Sequence, residues 1–592
     1  MSPSDETHIL TVLDLLTIVD AYQAMASIIS ILPRPEIEQK ASNTEPEQIA
    51  SSESSIHSQK EDVVPYFQPG RRFYLAFVAL AVLTLMVALD GTSLSVALPI
   101  VAQALRGSAL EAFWSGTSFL LASTVFQPSF AQLSHVFGRV QMIMFAITLF
   151  FAGVMMAALA KDFTLLLAGR TVQGIGGGGI IALTEIMVTD LVPLRYRGQW
   201  AGVIGGMWAI GSVSGPVIGG AFAETSWRWI FWLNLPFIGV SYVMVPLFIR
   251  LKLVPSSLLD KLKRVDWIGS VIFVGSACSF LIPVTWGGTM YDWSSWRTLV
   301  PLIIGAVGMI AFALYERFVP AEPLLMASIF DNRTINLGWL FSTIHGIVLW
   351  CMLYYQPLYF EAVKGYKPII AGVSLFPATF TVAPLSIITG FLITKTGRYR
   401  WSIWSGWAVA TLGMGLLIIW DVNSSIPEWL FTELVSGIGL GILFPSLLYQ
   451  IQAAAKPKDV SFAAALFSFF RAFGQAVGVA IGGAIFQNEM RKNLQHTARF
   501  ADQASALAKD AAALVQIIHD ASADDQVVLK KAYTDSLRTI YIVMCALAGV
   551  CFLLSLTIQK YDINIGLETE QGLMAENKGA EVAGGRKSAM EA

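Results

Sequence analysis

The chain has 592 residues, 55% hydrophobic and 14% charged, with a mean hydropathy of +0.62 and a formal net charge of −2. A water-soluble domain carries about 25% charge, so this composition excludes a soluble enzyme, and the balanced charge offers no basic surface to a nucleic acid. The four cysteines, Cys278, Cys351, Cys545 and Cys551, all fall in apolar runs, which excludes a secreted disulfide scaffold.

Residues 1–70 read as a cytoplasmic tail. Between Ile9 and Leu32, the polar residues Thr11, Asp14, Thr17, Asp20, Gln23, Ser27 and Ser30 recur every three or four positions. That spacing gathers them on one helical face and predicts an amphipathic helix over 9–32. Its acidic start argues against a signal peptide. Residues 33–70, rich in Pro, Ser, Glu and Lys, are expected to be disordered.

From Arg71 onward the apolar runs have membrane-span lengths. They fall near 73–100, 112–133, 140–160, 163–189, 199–222, 229–249, 266–286, 298–316, 336–359, 369–393, 401–420, 427–451, 460–486 and 539–557. Fourteen crossings of about 20 residues need roughly 280, which the chain supplies. Lipid leaves helices as the only way to satisfy the backbone amides of runs this long. An even number of crossings puts both termini on one side. Short connections after even-numbered spans carry most of the loop cations, among them Arg139, Arg195, Arg197, Arg264, Arg317, Lys395, Arg398 and Lys456. The bias predicts cytoplasmic termini. The 487–538 connection is then external, with a surface helix in its Ala-rich stretch near 501–518, and 561–592 is a second disordered cytoplasmic tail. Asn423-Ser424-Ser425 is a glycosylation sequon in an outer loop whose shortness argues against modification.

The chain also repeats itself at long range. Gly211-Ser-Val-Ser-Gly215-Pro216-Val-Ile-Gly219-Gly220 in span 5 returns as Gly474-Gln-Ala-Val-Gly478-Val479-Ala-Ile-Gly482-Gly483 in span 13, an offset of 263 residues. Gly174-Ile-Gly176 in span 4 returns as Gly437-Ile-Gly439 in span 12 at the same offset, and Gly138-Arg139 after span 2 returns as Gly397-Arg398 after span 10. Ordered matches of this kind imply two homologous six-helix halves, at 71–250 and 336–560, with spans 7 and 8 inserted between them over 251–335. Parallel halves are a transporter architecture with a central site near the bilayer midplane.

Charges inside spans are expensive and mark candidate sites. Asp90 in span 1 and Arg170 in span 4 lie at similar depth, so they pair if those helices touch. Two readings stand: a static buried pair, or a proton carrier, because a carboxylate that gains and loses a guanidinium partner changes its proton affinity. Arg471 in span 13 and Glu433 in span 12 form a second candidate pair, Glu433 being the repeat position of Arg170. His345 in span 9 is either a proton carrier or a hydrogen-bonded packing residue. Trp350, Tyr354, Tyr355 and Tyr359 near it suit a flat, apolar, oxygen-rich ligand; aromatic residues also belt the outer interface, the reading that fits Tyr359 better. Together His345, Trp350, Tyr354, Tyr355, Glu433 and Arg471 form the expected substrate cavity. The span-5 glycines, four apart, permit close helix approach, and Pro216 removes an amide donor and can bend the helix. These features read as ordinary packing or as the hinge of a gate.

Gly174, Gly176 and Gly179 formally match G-x-G-x-x-G but lie inside an apolar span with no preceding strand, and no phosphate-binding G-x-x-x-x-G-K-[ST] occurs. The chain is therefore expected to bind no nucleotide, cofactor or metal, and to draw on an ion gradient.

At these residues the chain resembles the major facilitator superfamily, in its fourteen-span drug:proton antiporter branch, over about residues 71–560. Leu89-Asp90-Gly-Thr-Ser-Leu-Ser-Val-Ala-Leu98-Pro99 is similar to the branch's first-span motif, and Arg170-Thr-Val-Gln173-Gly174 to its fourth-span motif. Gly211 to Gly220 resembles the antiporter motif, and Trp227-Arg228-Trp229-Ile-Phe231-Trp232-Leu-Asn234-Leu-Pro236 the signature between spans 5 and 6. The resemblance implies an all-α membrane protein of the major facilitator fold, a monomer and not an enzyme. It implies export of amphipathic small molecules in exchange for protons by alternating access, with Asp90, Arg170 and Gln173 in proton coupling. The texture is similar to fungal exporters of toxins and secondary metabolites, which implies the plasma membrane. Siderophore transport and loading of basic amino acids into a vacuole are the alternatives within the branch. A receptor or scaffold that no longer transports would have lost its in-membrane charges.

One loop departs from the family pattern. After span 2 the family's usual Asp is His135 and its last basic residue is Val140, while Gly138 and Arg139 remain. The cytoplasmic latch is thus half present, with Asp190 as the expected partner of Arg139, Gly397 and Arg398 as its repeat, and His135 as a source of pH response.

Overall fold

The computed structural model describes residues 67–564 apart from 68, 95–96, 108, 252–256, 289, 321, 498 and 509–510. The expected helix at 9–32, the tail at 33–66 and the tail from 565 lie outside the described residues. No strand occurs among the described residues.

The first part of the chain forms α1 (Arg71–Ser93), α2 (Leu98–Ala104), α3 (Ala109–Val125), α4 (Gln127–Phe137), α5 (Arg139–Ala158), α6 (Phe163–Leu191), α7 (Leu194–Thr225), α8 (Trp229–Trp232) and α9 (Asn234–Phe248). α10 (Leu258–Arg264), α11 (Trp267–Trp286) and α12 (Trp296–Phe318) follow. The last part holds α13 (Arg333–Ala362), α14 (Pro368–Ser374), α15 (Phe376–Thr396), α16 (Arg400–Leu417), α17 (Ile426–Ala454) and α18 (Val460–Gln495). It ends with α19 (Ala504–Leu507), α20 (Ala511–Asp520) and α21 (Ala523–Ser555). Side-chain caps start several of them: Asp162 accepts from the Leu165 amide, Asp266 from Gly269, and Ser522 from Asp525.

Proline explains where the expected spans break. The run at 73–100 stops at Ser93, and α2 restarts with a proline in its first turn. Span 2 is split at Phe126, with Pro128 opening α4, and the tenth at Leu375, with Pro377 opening α15. Proline has no amide to donate and fits the first turn, where that amide lacks an intrahelical acceptor anyway.

Among the described residues twelve helical spans, α8 and α9 counting as one, are long and apolar enough to cross a membrane. The expected spans missing from that set are the split pair α3/α4 and α16. The latter spends much of its length on Arg400, Ser402, Ser405 and the tryptophans Trp401, Trp404 and Trp407. Trp404 Nε1 donates to the Ser555 carbonyl at 2.9 Å, and fully buried Trp407 meets Phe341 edge-on at 5.7 Å.

The packing repeats as the sequence does. In the first bundle α1 packs on α7 and α9, α6 on α3, α4 and α5, and α9 on α5. In the second, α13 packs on α18 and α21, α17 on α15 and α16, and α21 on α16. The bundles meet where α7 crosses α15 and α17, and where α18 crosses α4 and α6. α11 and α12 pack on each other, and α11 docks on α18 through Phe273 to Phe469 (5.5 Å) and Phe280 to Phe473 (5.9 Å). The outward stripe of α12, including Val300, Ile303, Ile304, Val307 and Ile310, is exposed and apolar, as a lipid-facing surface requires. The 487–538 connection is mostly helical. It extends α18 and α21 and holds α19 and α20 where the Ala-rich stretch predicts a surface helix.

Candidate functional site

Four helices of the first bundle bring one charge cluster together. Arg170 on α6 donates from Nη1 to Asp90 Oδ2 on α1 at 2.5 Å and to Gln173 Oε1 at 2.7 Å, and from Nε to the Ser115 carbonyl on α3 at 3.0 Å. Asn234 on α9 donates to the other Asp90 oxygen at 2.9 Å. The guanidinium lies 4.3 Å from the Phe119 ring centre, and the Asp90 and Arg170 side chains are both 0% exposed. A buried ion pair is tolerated when its remaining hydrogen-bonding capacity is largely filled, and Ser115, Gln173 and Asn234 do that here. Asn234 stands in the quoted signature between spans 5 and 6, but no spacing rule ties it to Asp90.

The glycine motif seats α7 against the turns of α1 that flank Asp90. A β-carbon at Gly211 would lie 2.6 Å from the Ala88 β-carbon, one at Gly215 would strike Thr92 Oγ1, and one at Gly219 would strike the Ser93 carbonyl. Its repeat does the same on α13, where Gly474 faces the Thr343 carbonyl, Gly478 the Ile347 carbonyl and Gly482 the Tyr355 ring. Both motifs are close-packed seams. Pro216 lies inside α7, and Gly220 lies in the same turn.

At the opposite end, hydrogen bonds tie the bundles together. Arg139 reaches Asp190 at 3.1 Å and Ser134 at 2.7 Å, and the other Asp190 oxygen accepts from Ser461 on α18 at 3.0 Å. Gly138, at φ 102°, makes the sharp turn that aims Arg139 back along α4. His135 lies edge-on to Phe462 at 5.6 Å. Buried Arg197 donates to the Val192 and Thr189 carbonyls and, at 3.1 Å, to Gln452 on α17. Tyr449 donates to the Arg195 carbonyl at 2.7 Å and accepts from the Gly198 amide at 2.8 Å, while Thr394 on α15 also donates to the Arg195 carbonyl, at 2.9 Å. The repeat of the latch is built differently. Gly397 ends α15 at φ 64°, and exposed Arg398 makes no ion pair among the described residues; it lines a groove with Arg195 and Lys560.

Between these two regions lies a gap bounded by both bundles. Thr84, Thr184, Glu185 and Trp208 face it from the first bundle, and Phe444 and Arg471 from the second. Glu185 and Arg471 are 5% and 7% exposed and sense one another electrostatically, yet make no ion pair or hydrogen bond among the described residues. Arg471 lies 4.3 Å over the Phe444 ring, and its Nη1 is buried without a partner. The space there is about 20 Å³, room for one water, so the gap is closed in this conformation.

Of the expected cavity residues, Arg471 alone lines this gap. Its expected pairing with Glu433 does not form. Glu433 on α17 is 0% exposed, and both its oxygens lack a hydrogen-bond partner. Arg471 instead turns toward Phe444 and the gap. His345 places Nε2 3.2 Å from the Leu440 carbonyl of α17, beside the gap but not on it. Tyr355 donates to the Val479 carbonyl at 2.9 Å and serves the α13–α18 seam. Tyr354 is 40% exposed and Trp350 is half-buried, both away from the gap. Asn423 is exposed in the tight turn before α17. Glu185, Arg197, Tyr449 and Gln452 are the residues that sequence reasoning missed. Glu185 carried a usable signal, an acid within an otherwise apolar run.

Residues 80–479 match the Major Facilitator Superfamily. The chain is 51% identical over 559 residues to MFS transporter L2 of a Phoma species, covering 94% of this chain and 92% of that one. It is 36% identical to efflux pump FUS6 of Gibberella moniliformis, covering 93% and 96%, and 36% identical to the acurin A biosynthesis cluster MFS-type transporter of Aspergillus aculeatus, covering 85% and 92%. Among solved structures it is similar to the human organic anion transporter MFSD10, with 15% identity, a TM-score of 0.52, and coverage of 81% of this chain and 100% of that one, a likeness of fold alone. With the doubled helix packing and a family match over most of its length, the chain belongs to the Major Facilitator Superfamily.

Proposed function

We propose that this protein exports an amphipathic small molecule, a toxin or secondary metabolite, from the cytoplasm in exchange for protons, by rocking its two bundles about the central gap. The observation that carries the reading is that gap: it is bounded by both bundles, holds two buried charges, and is closed at one end, the cytoplasmic end in this reading, by bonds that join the bundles. Parting Tyr449, Arg197 and Ser461 from their partners would open it to the cytoplasm and leave each bundle intact. The names of its relatives, an efflux pump and a biosynthesis-cluster transporter, support export as the direction. In this reading the chain crosses the plasma membrane fourteen times, α3/α4 and α16 included, with both termini in the cytoplasm.

Asp90 and Arg170 are the proposed proton-coupling pair, with Gln173 and Asn234 holding the geometry when the pair is closed. The test is proton flux driven by a rhodamine dye in proteoliposomes of the full chain, with and without Asp90→Asn. Export predicts dye movement coupled to protons in the wild type and uncoupled or absent movement in the variant. Equal coupled flux in both removes Asp90 from the mechanism, and uphill dye movement with the proton gradient collapsed removes protons altogether.

A further inference from the structure

The central gap holds a carboxylate and a guanidinium that share a space without touching. Glu185 comes from α6 and Arg471 from α18, and neither makes a hydrogen bond or ion pair among the described residues. This contrasts with the other buried cations of the protein. Arg170, Arg139 and Arg197 each make two or three bonds to oxygen atoms. Leaving a buried charge without hydrogen bonds is costly, so the two unfilled side chains are the most demanding groups in the gap. The surrounding groups supply little relief. The faces toward them are Phe444, Trp208, Ile181 and Ile204, with Thr84 and Thr184 as the nearest hydroxyls. Thr84 is already committed to the Leu80 carbonyl at 3.0 Å.

We infer that the gap recognises an uncharged donor–acceptor group on an apolar body, such as an amide, an enol or a hydroxy-ketone, which donates to Glu185 and accepts from Arg471. The inference deepens the proposed export function and rests on its central gap. The charge arithmetic selects this class. An anionic group would satisfy Arg471 but face the Glu185 carboxylate, and a cationic group would satisfy Glu185 but face the guanidinium; in a site of low dielectric either like-charge contact is strongly unfavourable. A neutral group with both functions bonds to each charge and leaves the pair balanced. The space already has the size of one water, the smallest molecule with both functions. The aromatic faces of Phe444 and Trp208 supply apolar contact for the rest of the molecule as the bundles part.

The test uses three probes of one shape, naphthamide, naphthoate and naphthylmethylammonium, bound to the full chain in nanodiscs with empty discs subtracted. In the wild type the amide should bind about tenfold or more tighter than either ion, the worth of one or two hydrogen bonds kept rather than one lost to repulsion. Glu185→Gln should make the anion the tightest of the three, and Arg471→Gln should do so for the cation. The double variant Glu185→Gln/Arg471→Gln keeps the gap neutral and serves where a single variant fails to fold; it should bind all three within a few-fold of one another. The same order of probes in the wild type and in the variants overturns the inference, as does an ion that outbinds the amide in the wild type. Saturable binding with the wrong order overturns this inference alone, whereas absence of saturable binding by all three overturns the central gap as a cargo site as well.

Discussion

Arg170 and Glu433 occupy the same register position of the repeat, 263 residues apart, on α6 and α17, and the two bundles treat them oppositely. Arg170 is fully enclosed and bonded to Asp90, Gln173 and Ser115. Glu433 is equally enclosed, yet neither of its oxygens has a hydrogen-bond partner. The helices around them pair in the same pattern. The difference teaches that duplication preserves backbone packing, which glycine seams and helix length specify, while the buried charges are free to diverge. The first bundle carries a hydrogen-bonded ion pair at this position and the second does not.

The comparison can be broken most forcefully at Arg170. Arg170→Gln removes the partner of a buried carboxylate and should destabilise the protein by about 3–5 kcal/mol, read as a fall in the thermal unfolding midpoint of the purified full chain. Adding Asp90→Asn should recover part of that loss, because the stranded charge is then gone; no recovery would mean that the cluster is not a pair.

A second test addresses the closed end, cytoplasmic in the proposed orientation, where Tyr449 joins the bundles by donating to Arg195 and accepting from Gly198. Tyr449→Phe loses both bonds, about 1–2 kcal/mol, and should shift the population toward a form open to the cytoplasm. Labelling of Thr184→Cys by a maleimide applied from the cytoplasmic side, on a cysteine-free background, should accelerate several-fold. An unchanged rate would show that these bonds do not hold the gap shut.

Glu433→Gln sharpens the contrast with Arg170→Gln. The carboxylate has no hydrogen bond to lose, so the unfolding midpoint should move by less than about 1 kcal/mol and in the stabilising direction if it moves. A loss as large as that of Arg170→Gln would place Glu433 in a network of its own.

The smallest effect lies outside the membrane. The Val422 amide, then the Lys531 ammonium 3.1 Å away, hold the Asp421 carboxyl below its ordinary value of 3.8. A carboxyl lowered in the folded state adds stability above its unfolded value and loses it as pH falls through the folded one. Wild type and Asp421→Asn should therefore differ slightly at neutral pH and converge in acid below about pH 4. A gap that widens in acid would reverse the assignment. Both groups are substantially exposed, so screening keeps the difference small.

The legible part of the site was the part written in local pattern. Asp90 and Arg170 stood out because charge is costly in an apolar run, and their similar depth allowed a pair on the condition that α1 and α6 touch. Arg139 and Asp190 were legible through the turn glycine and the loop motif. The pairing of Arg471 was not. Glu433, the repeat position of Arg170, was expected as its partner, but helix register alone does not say which face a side chain takes, and Arg471 turns toward the gap. Glu185 was passed over although it met the same criterion as Asp90, and Arg197 and Tyr449 were unreadable because their partners are carbonyls and amides from other helices. The aromatic residues near His345 were read as one cavity wall, yet the rotation of α13 sends Tyr355 to a seam and Tyr354 outward.

By itself the sequence determined an all-helical membrane protein built as a doubled bundle. Hydropathy over a span and glycine spacing along one helix are local quantities, and lipid allows them few outcomes. Only the tertiary structure decided which buried charges meet, which stay apart across the central gap, and which bonds close one end of it. Those depend on the rotation of each helix about its axis and on contacts between residues hundreds of positions apart, and packing of the whole bundle sets both.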